Sequence, residues 1–423
     1  MNEARPDIDK PDILLHADKL RAIELVEKIL FHIDNVVLAG LSSSELAFIA
    51  LFYTYAAKAL SVNGFNDKIM SCVDLAICKL LNESCPSWLF GGITGTVWIL
   101  DHITRQLCGD VSILDSSRST TSDPFTGIDE LLIDLLNHEW TGEYDLSTGI
   151  TGLGIYFMDR THLDSSRHAL GLILRHLEVC SERSDEGITW CSRTSVTTSS
   201  MLLQRYDLGV AHGIPAIITL LAELTKHGVE AERSAVLLEG ALKWLYLRER
   251  PPTASTRLSI AFEPGLPSAD SPLAWCYGDL GVCAVLTRSA KLCHDVRCQI
   301  FAQKLNASIL SREVSPLNPS DPWLCHGALG VAHIYNRLSG GTLGPNCRKA
   351  ATRWYKVGMS FLEEGDMWFF REAPEARQIS DVNLSFINGL IGAGLALTSL
   401  ICSFEPRWDR LLLLSNPYLS PEG

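Results

Sequence analysis

Long apolar runs are missing from this sequence. Its longest apolar stretches, such as Leu46–Tyr53 and Leu390–Ile401, are too short or too Gly-rich for the roughly 18 residues that a membrane span requires. No transmembrane segment is expected. The opening residues Met1–Asp12 are polar and acidic, without a basic start leading into an apolar stretch, so no signal peptide is expected either. Positive charge is scarce: 36 Lys and Arg stand against 49 Asp and Glu, for a net charge of −13. A nucleic-acid partner wants a basic face; the acidic balance excludes one and suits a cytoplasmic protein. Strand-like alternation is weak throughout.

What is present is an ordinary globular balance, 47% apolar and 20% charged, with ample material for a large core. The 13 Cys are odd in number and spread over a long chain, which argues against a disulfide scaffold. Cys72, Cys78, Cys180 and Cys402 lie in apolar helical patterns and read as small buried hydrophobes.

One phrase recurs along the chain: Gly, two residues, Gly or Ala, then an apolar helical run. It occupies 92–95, 149–152, 213–216, 278–281, 327–330 and 389–392, with a degenerate copy near Ser44. The seven copies are spaced by roughly 50 to 65 residues, as in a repeat architecture. Between them Leu20–His32, Asp129–Leu136, Ser165–Leu177, Ala231–Leu247 and Lys349–Phe361 carry apolar residues at helical spacing. Gly costs about 1 kcal/mol against Ala inside a helix. Accepting that cost repeatedly implies close helix approach or tight turns at helix starts. The pattern predicts an all-α fold, an α/α toroid of seven inner Gly-rich helices and seven outer amphipathic ones, spanning 1–423 as a single domain. Two loops interrupt the helices, a Ser/Thr/Asp-rich stretch at Val111–Gly127 and a Pro-rich one at Arg250–Pro272.

In two copies a Cys directly precedes the Gly region, as Trp275-Cys276-Tyr277-Gly278 and Leu324-Cys325-His326-Gly327; in a third it is His212. In a closed ring, equivalent positions of successive repeats gather at one end of the axis. Cys276, Cys325, His326 and His212 would then converge. Two thiolates and one imidazole are a zinc ligand set that leaves the fourth tetrahedral position open. Adjacent side chains on a regular helix point about 100° apart, so Cys325 and His326 must lie at a helix start or in a loop. Two thiolates cancel the zinc charge, which suits activation of a bound thiol rather than of water. Asp145, just ahead of Gly149, belongs to the same rim or serves as a helix N-cap. His212 is a rim residue or a satisfied core His. His333 and Cys283 fall inside apolar helical runs and read as packing.

These residues resemble the lanthionine synthetase C-like proteins, and among them the stand-alone cyclases of class I lanthipeptide biosynthesis. The resemblance covers essentially the whole chain. It is carried by the Gly-rich helix starts, Ala274–Gly278, Cys325–Gly327, Ala211–Gly213, Tyr144–Asp145 and the closing Trp408–Ser415. It implies a zinc-dependent cyclase that adds precursor-peptide Cys thiols to dehydroalanine or dehydrobutyrine, forming (methyl)lanthionine rings. By this resemblance Cys276, Cys325 and His326 are the zinc ligands, His212 the general acid/base, Asp145 a catalytic Asp and Tyr277 the residue that follows the first zinc Cys. The family commonly has Arg four residues before that Cys; here the position is Pro272, so either the zinc-activated thiolate and a protonated His212 suffice, or an Arg from elsewhere enters, with Arg257 the candidate by its nearness in sequence. The chain has no room for the dehydratase, or kinase and lyase, of the fused enzymes. A dehydrated precursor peptide (leader plus core), a separate dehydratase and a transporter are therefore the expected partners, in a complex able to hold the enzyme at the inner membrane. Rival readings are a glutathione-binding, thiol-adding relative of the same family and a non-catalytic scaffold of the synthetase complex. An α/α-barrel carbohydrate enzyme would need paired carboxylates and has no use for the Cys, Cys, His set.

Overall fold

The computed structural model describes residues 16–108, 123–192, 197–198, 201–202, 204–312, 319–340, 344–364, 383–401 and 404–415. Helices alternate between two layers. The inner layer is α2 (Ser43–Leu60), α4 (Ile93–Cys108), α6 (Ile150–Met158), α8 (Ile214–Lys226), α10 (Asp279–Cys293), α12 (Ala328–Leu338) and α14 (Leu390–Ile401). The outer layer is α1 (His16–Asp34), α3 (Asn66–Asn82), α5 (Thr126–Asn137), α7 (Asp164–Cys180), α9 (Ala231–Tyr246), α11 (Val296–Leu310) and α13 (Gly344–Glu364). Each inner helix packs on the next, and α14 returns to α2, so the seven close into a ring. Among the described residues this is the expected toroid of seven inner and seven outer helices.

The sequence pattern explains the layers. Every residue of α6 is buried, as is Leu390–Leu400 of α14, the signature of a helix covered on all sides. The outer helices bury one stripe only; α9 buries Leu237, Leu238, Ala241, Leu242 and Leu245 on one face. Both reasons for the recurrent glycine hold. Gly278 has φ 103°, and a Cβ there would stand 2.1 Å from the Pro272 carbonyl oxygen as the chain doubles back into α10. Gly394 lies inside α14, where a Cβ would meet the Phe52 ring of α2 at 2.4 Å. The degenerate first copy solves its start differently: Ser42 and Glu45 form a capping box at α2.

Strand is confined to short antiparallel pairs among the described residues: β1 (Glu182–Ser184) with β2 (Gly187–Thr189), β3 (197–198) with β4 (201–202), and β5 (Tyr206–Asp207) with β6 (Ala261–Phe262). The last pair ties the Pro-rich loop to the approach of α8. That loop is braced again where the Asp279 carboxylate accepts the Arg257 and Leu258 N–H groups at 2.9 and 2.8 Å. Most of the other predicted loop, Val111–Gly127, and Cys402 lie outside the described residues. Cys72 is buried as expected, but Cys78 is exposed, because α3 turns only a narrow stripe inward (Ile69, Cys72, Ala76); Cys180, at the end of α7, is half-buried. Among the described residues no helix is long and apolar enough to cross a membrane.

Candidate active site

The segments that precede the inner helices join one another through their main chains. Phe90 N–H donates to Ser147 O (3.2 Å), Ser147 to Ala211 O (3.2 Å), Ala211 to Cys276 O (3.3 Å), Cys276 to Cys325 O (3.4 Å) and Cys325 to Ile387 O (3.0 Å). Each of these residues stands two places before the first Gly of its phrase. Buried backbone groups need partners, and here the partner is the equivalent residue of the next repeat. The rim is therefore a hydrogen-bonded belt, and it sets the spacing of whatever side chains it carries.

On this belt the ligand atoms of Cys276, Cys325 and His326 lie within 4.8 Å of one another. Cys325 and His326 sit in the turn ahead of α12, with Gly327 extended as its N-cap, so the two adjacent side chains escape helical divergence. Cys325 is buried, whereas the His326 side chain is 47% exposed, which leaves the cluster open on one side. His326 Nε2 faces the Asp321 carboxylate at 3.5 Å. The Cys276 thiol is drawn down to about 5, because Cys325 donates to its sulfur and His326 adds a second donor. The Cys325 thiol moves up correspondingly, its proton held by Cys276 in a buried site. One proton is easily lost from the pair and the second is held. A divalent cation relieves that conflict, since it stabilises both thiolates at once. Ligand atoms around a tetrahedral zinc would be about 3.5–3.8 Å apart, from the usual Zn–S and Zn–N lengths, a spacing compatible with this cluster. The donor set thus fits zinc.

Beside the cluster, His212 Nδ1 bonds Asp145 Oδ2 at 2.6 Å. Asp145 Oδ1 accepts the Thr148 N–H at 2.7 Å. Asp145 is a rim residue: it closes the turn ahead of α6 through Thr148 and holds His212 across the rim, whereas the N-cap of α6 is Gly149 with no side-chain cap. The Asp145 bond raises the His212 pKa, outweighing burial. The His212 ring faces Tyr277 with centroids 6.2 Å apart; burial, then Asp207, pushes the Tyr277 phenol up to about 12. His212, Asp145, Tyr277, Cys276, Cys325 and His326 are therefore all brought to one rim. His333 is fully buried, bonded to Asp409 at 2.9 Å, and Cys283 donates to Ala302 O at 3.3 Å; both are packing residues, as expected.

Arg257 is the exception. Its guanidinium pairs with Glu249 at 3.6 Å and lines a groove with Lys304 and Arg312 along α11, away from the Cys, Cys, His cluster. Its backbone N–H is held by the Asp279 carboxylate at 2.9 Å. Three residues of the site went unnoticed in the sequence: Asp321, Asp207 and Arg205. Asp207 and Asp321 each lie six residues ahead of the first Gly of their phrase, a register that would have marked them.

A closed helical toroid with a Cys, Cys, His cluster on its rim defines a class, and the comparisons agree with it. The model of the lanthionine synthetase C-like proteins matches residues 46–413, and the chain belongs to that family. Among solved structures it is similar to the nisin cyclase, at 17% identity with a TM-score of 0.65, over 92% of this chain and 96% of that one; this likeness is one of fold. No curated protein matches in sequence.

Proposed function

We propose that this chain is a zinc-dependent lanthipeptide cyclase acting as a single domain. It closes (methyl)lanthionine rings by joining the Cys thiols of a dehydrated precursor peptide to its dehydroalanine or dehydrobutyrine residues. The observation that carries this reading is the convergence of three soft donors within 4.8 Å beside a His–Asp pair bonded at 2.6 Å.

Cys276, Cys325 and His326 would hold the ion, and Asp321, whose carboxylate stands 3.5 Å from His326 Nε2, would orient the imidazole. Zinc held there would lower the pKa of a substrate thiol and, with two thiolates cancelling its charge, would leave that sulfur electron-rich. The substrate thiolate adds to the β-carbon: a C–S bond forms, and the C=C π pair moves toward the carbonyl oxygen. Asp145 fixes His212 through Nδ1, so Nε2 is the atom that delivers a proton to the α-carbon. The proton lost from the thiol restores the imidazolium, and the peptide keeps its mass. Such an enzyme acts on the product of a separate dehydratase.

The test uses the purified chain and a dehydrated peptide. Ring closure is read as loss of alkylatable thiols, and metal by elemental analysis. The unmodified protein should carry about one zinc per chain, as one such site dictates, and consume thiols. Cys276→Ala and Cys325→Ala should lose both metal and activity. Zinc retained in full by both variants would refute the assignment.

A further inference from the structure

The short stretch from Arg205 to His212 brings four side chains of the rim together. Arg205 Nε donates to Asp207 Oδ1 at 3.0 Å, and a second guanidinium nitrogen lies 2.9 Å from the same oxygen. The third nitrogen reaches Glu263 Oε1 at 3.2 Å. Asp207 belongs to β5, and Glu263 directly follows β6, its antiparallel partner, so one ribbon sets both carboxylates. Asp207 is 4% exposed. The same stretch presses on the cluster: a Cβ at Gly209 would stand 2.1 Å from Cys276 O and 2.6 Å from Tyr277 Cδ1. The Arg205 guanidinium thereby stands beside the Tyr277 phenol, which faces the His212 ring.

The chemistry gives this arrangement a use. Thiolate addition moves negative charge onto the carbonyl oxygen of the dehydrated residue, and a fixed donor there accelerates the step. A guanidinium has five N–H donors in a rigid fork. Three are occupied by Asp207 and Glu263, and the remainder are free to donate to the phenol oxygen. A phenol that accepts from Arg205 must aim its own O–H elsewhere. We propose that Arg205 is a positioning residue for ring closure: it donates to the Tyr277 oxygen and so turns the Tyr277 hydroxyl, as donor, toward the oxygen that becomes negative. Asp207 and Glu263 keep the guanidinium in place. This inference rests on the cyclase reading above.

The test is a double-mutant cycle on the zinc-loaded chain with a dehydrated peptide, comprising Arg205→Gln, Tyr277→Phe and the two combined, with Arg205→Lys as a further variant. Losing one oxyanion donor costs roughly 10²–10³-fold, and a donor only mispositioned should cost less. Arg205→Gln is expected to lower kcat about tenfold or more on that scale, with KM little changed and zinc content and melting temperature intact. The combined variant should be no slower than Tyr277→Phe alone, and Arg205→Lys should recover part of the rate. Equal losses from Arg205→Gln in both backgrounds, no loss at all, or a loss that follows zinc or melting temperature would overturn the positioning role while leaving the cyclase reading standing. An unmodified chain that closes no ring would bring down both.

Discussion

At the C-terminal ends of the inner helices, Arg410 donates to Asp159 at 2.9 Å and to both oxygens of Glu223 at 2.7 Å, with Arg288 pairing Glu223 and Trp98 bonding Asp159 at 2.8 Å. At the N-terminal ends of the same helices, Asp145 holds His212 and the cysteines face His326. The residue types overlap, yet the two ends behave differently because of water. Arg410, Asp159 and Glu223 are all 3% exposed or less; each charge is answered by another, and nothing is left to bind a ligand. The His212 and His326 side chains are 42% and 47% exposed; His212 commits Nδ1 to Asp145 and leaves Nε2 available, and His326 stands between Asp321 and the Cys276 sulfur. Closure of the charges makes a brace at one end, and incomplete closure makes a site at the other.

Breaking the brace should give the largest effect. Arg410→Met strands two buried carboxylates, and removing one partner of a buried ion pair costs about 3–5 kcal/mol, measurable by denaturant unfolding. His212→Ala should do the reverse. Its stability should stay within about 1 kcal/mol, as expected for a half-exposed pair, with zinc retained. Cyclisation should fall roughly 10²–10⁴-fold with loss of the acid. Asp145→Asn should weaken catalysis less. A His212→Ala protein that unfolds, or an Arg410→Met protein of normal stability, would erase the contrast.

Acidity sharpens it further, since the two ends respond in opposite directions. Burial would raise the Glu223 carboxyl, but Arg288 and Arg410 together take it down to about 2; Asp159 moves the other way because burial outweighs Arg410. A depressed carboxylate stabilises the fold above its ordinary range, and the contribution is lost as pH falls toward 2. His212 is raised by Asp145. Its pairing energy is complete below about 6.5 and lost as pH rises through the folded value. The alkaline limb of the cyclisation profile should therefore move to lower pH in Asp145→Asn. The smallest effect is expected at the link between the two ends, where Trp275 Nε1 donates to Leu412 O at 3.0 Å. Trp275→Phe removes one hydrogen bond, worth about 1 kcal/mol, and should leave the metal content unchanged.

Much of this was legible in the sequence because a repeat multiplies its own signal. Six copies of one Gly phrase gave the ring, and the register of Cys276, Cys325 and His212 within those copies gave the rim. The outer helices Asn66–Asn82 and Val296–Leu310 carry weaker patterns. The first buries only Ile69, Cys72 and Ala76, too thin a stripe to stand out from its polar surroundings. Arg257 misled because nearness along the chain is a poor guide once a loop is pinned by its backbone. Arg205 lies 71 positions before Cys276 in the sequence, and the β5–β6 pairing that brings it to Tyr277 is two residues long on each side. No periodicity announces so short a ribbon.

The belt of main-chain bonds through Phe90, Ser147, Ala211, Cys276, Cys325 and Ile387 has a further consequence for how such a protein changes over time. Its geometry is written in peptide groups, which every amino acid except proline supplies in full. Each rung is thus a socket whose position does not depend on what is plugged into it. Two neighbouring sockets hold sulfur and the others hold Phe, Ser, Ala and Ile. Ligands can be lost, gained or shifted by one rung without redrawing the frame, so new chemistry on this ring requires few substitutions, while the frame itself tolerates proline at none of the donating rungs.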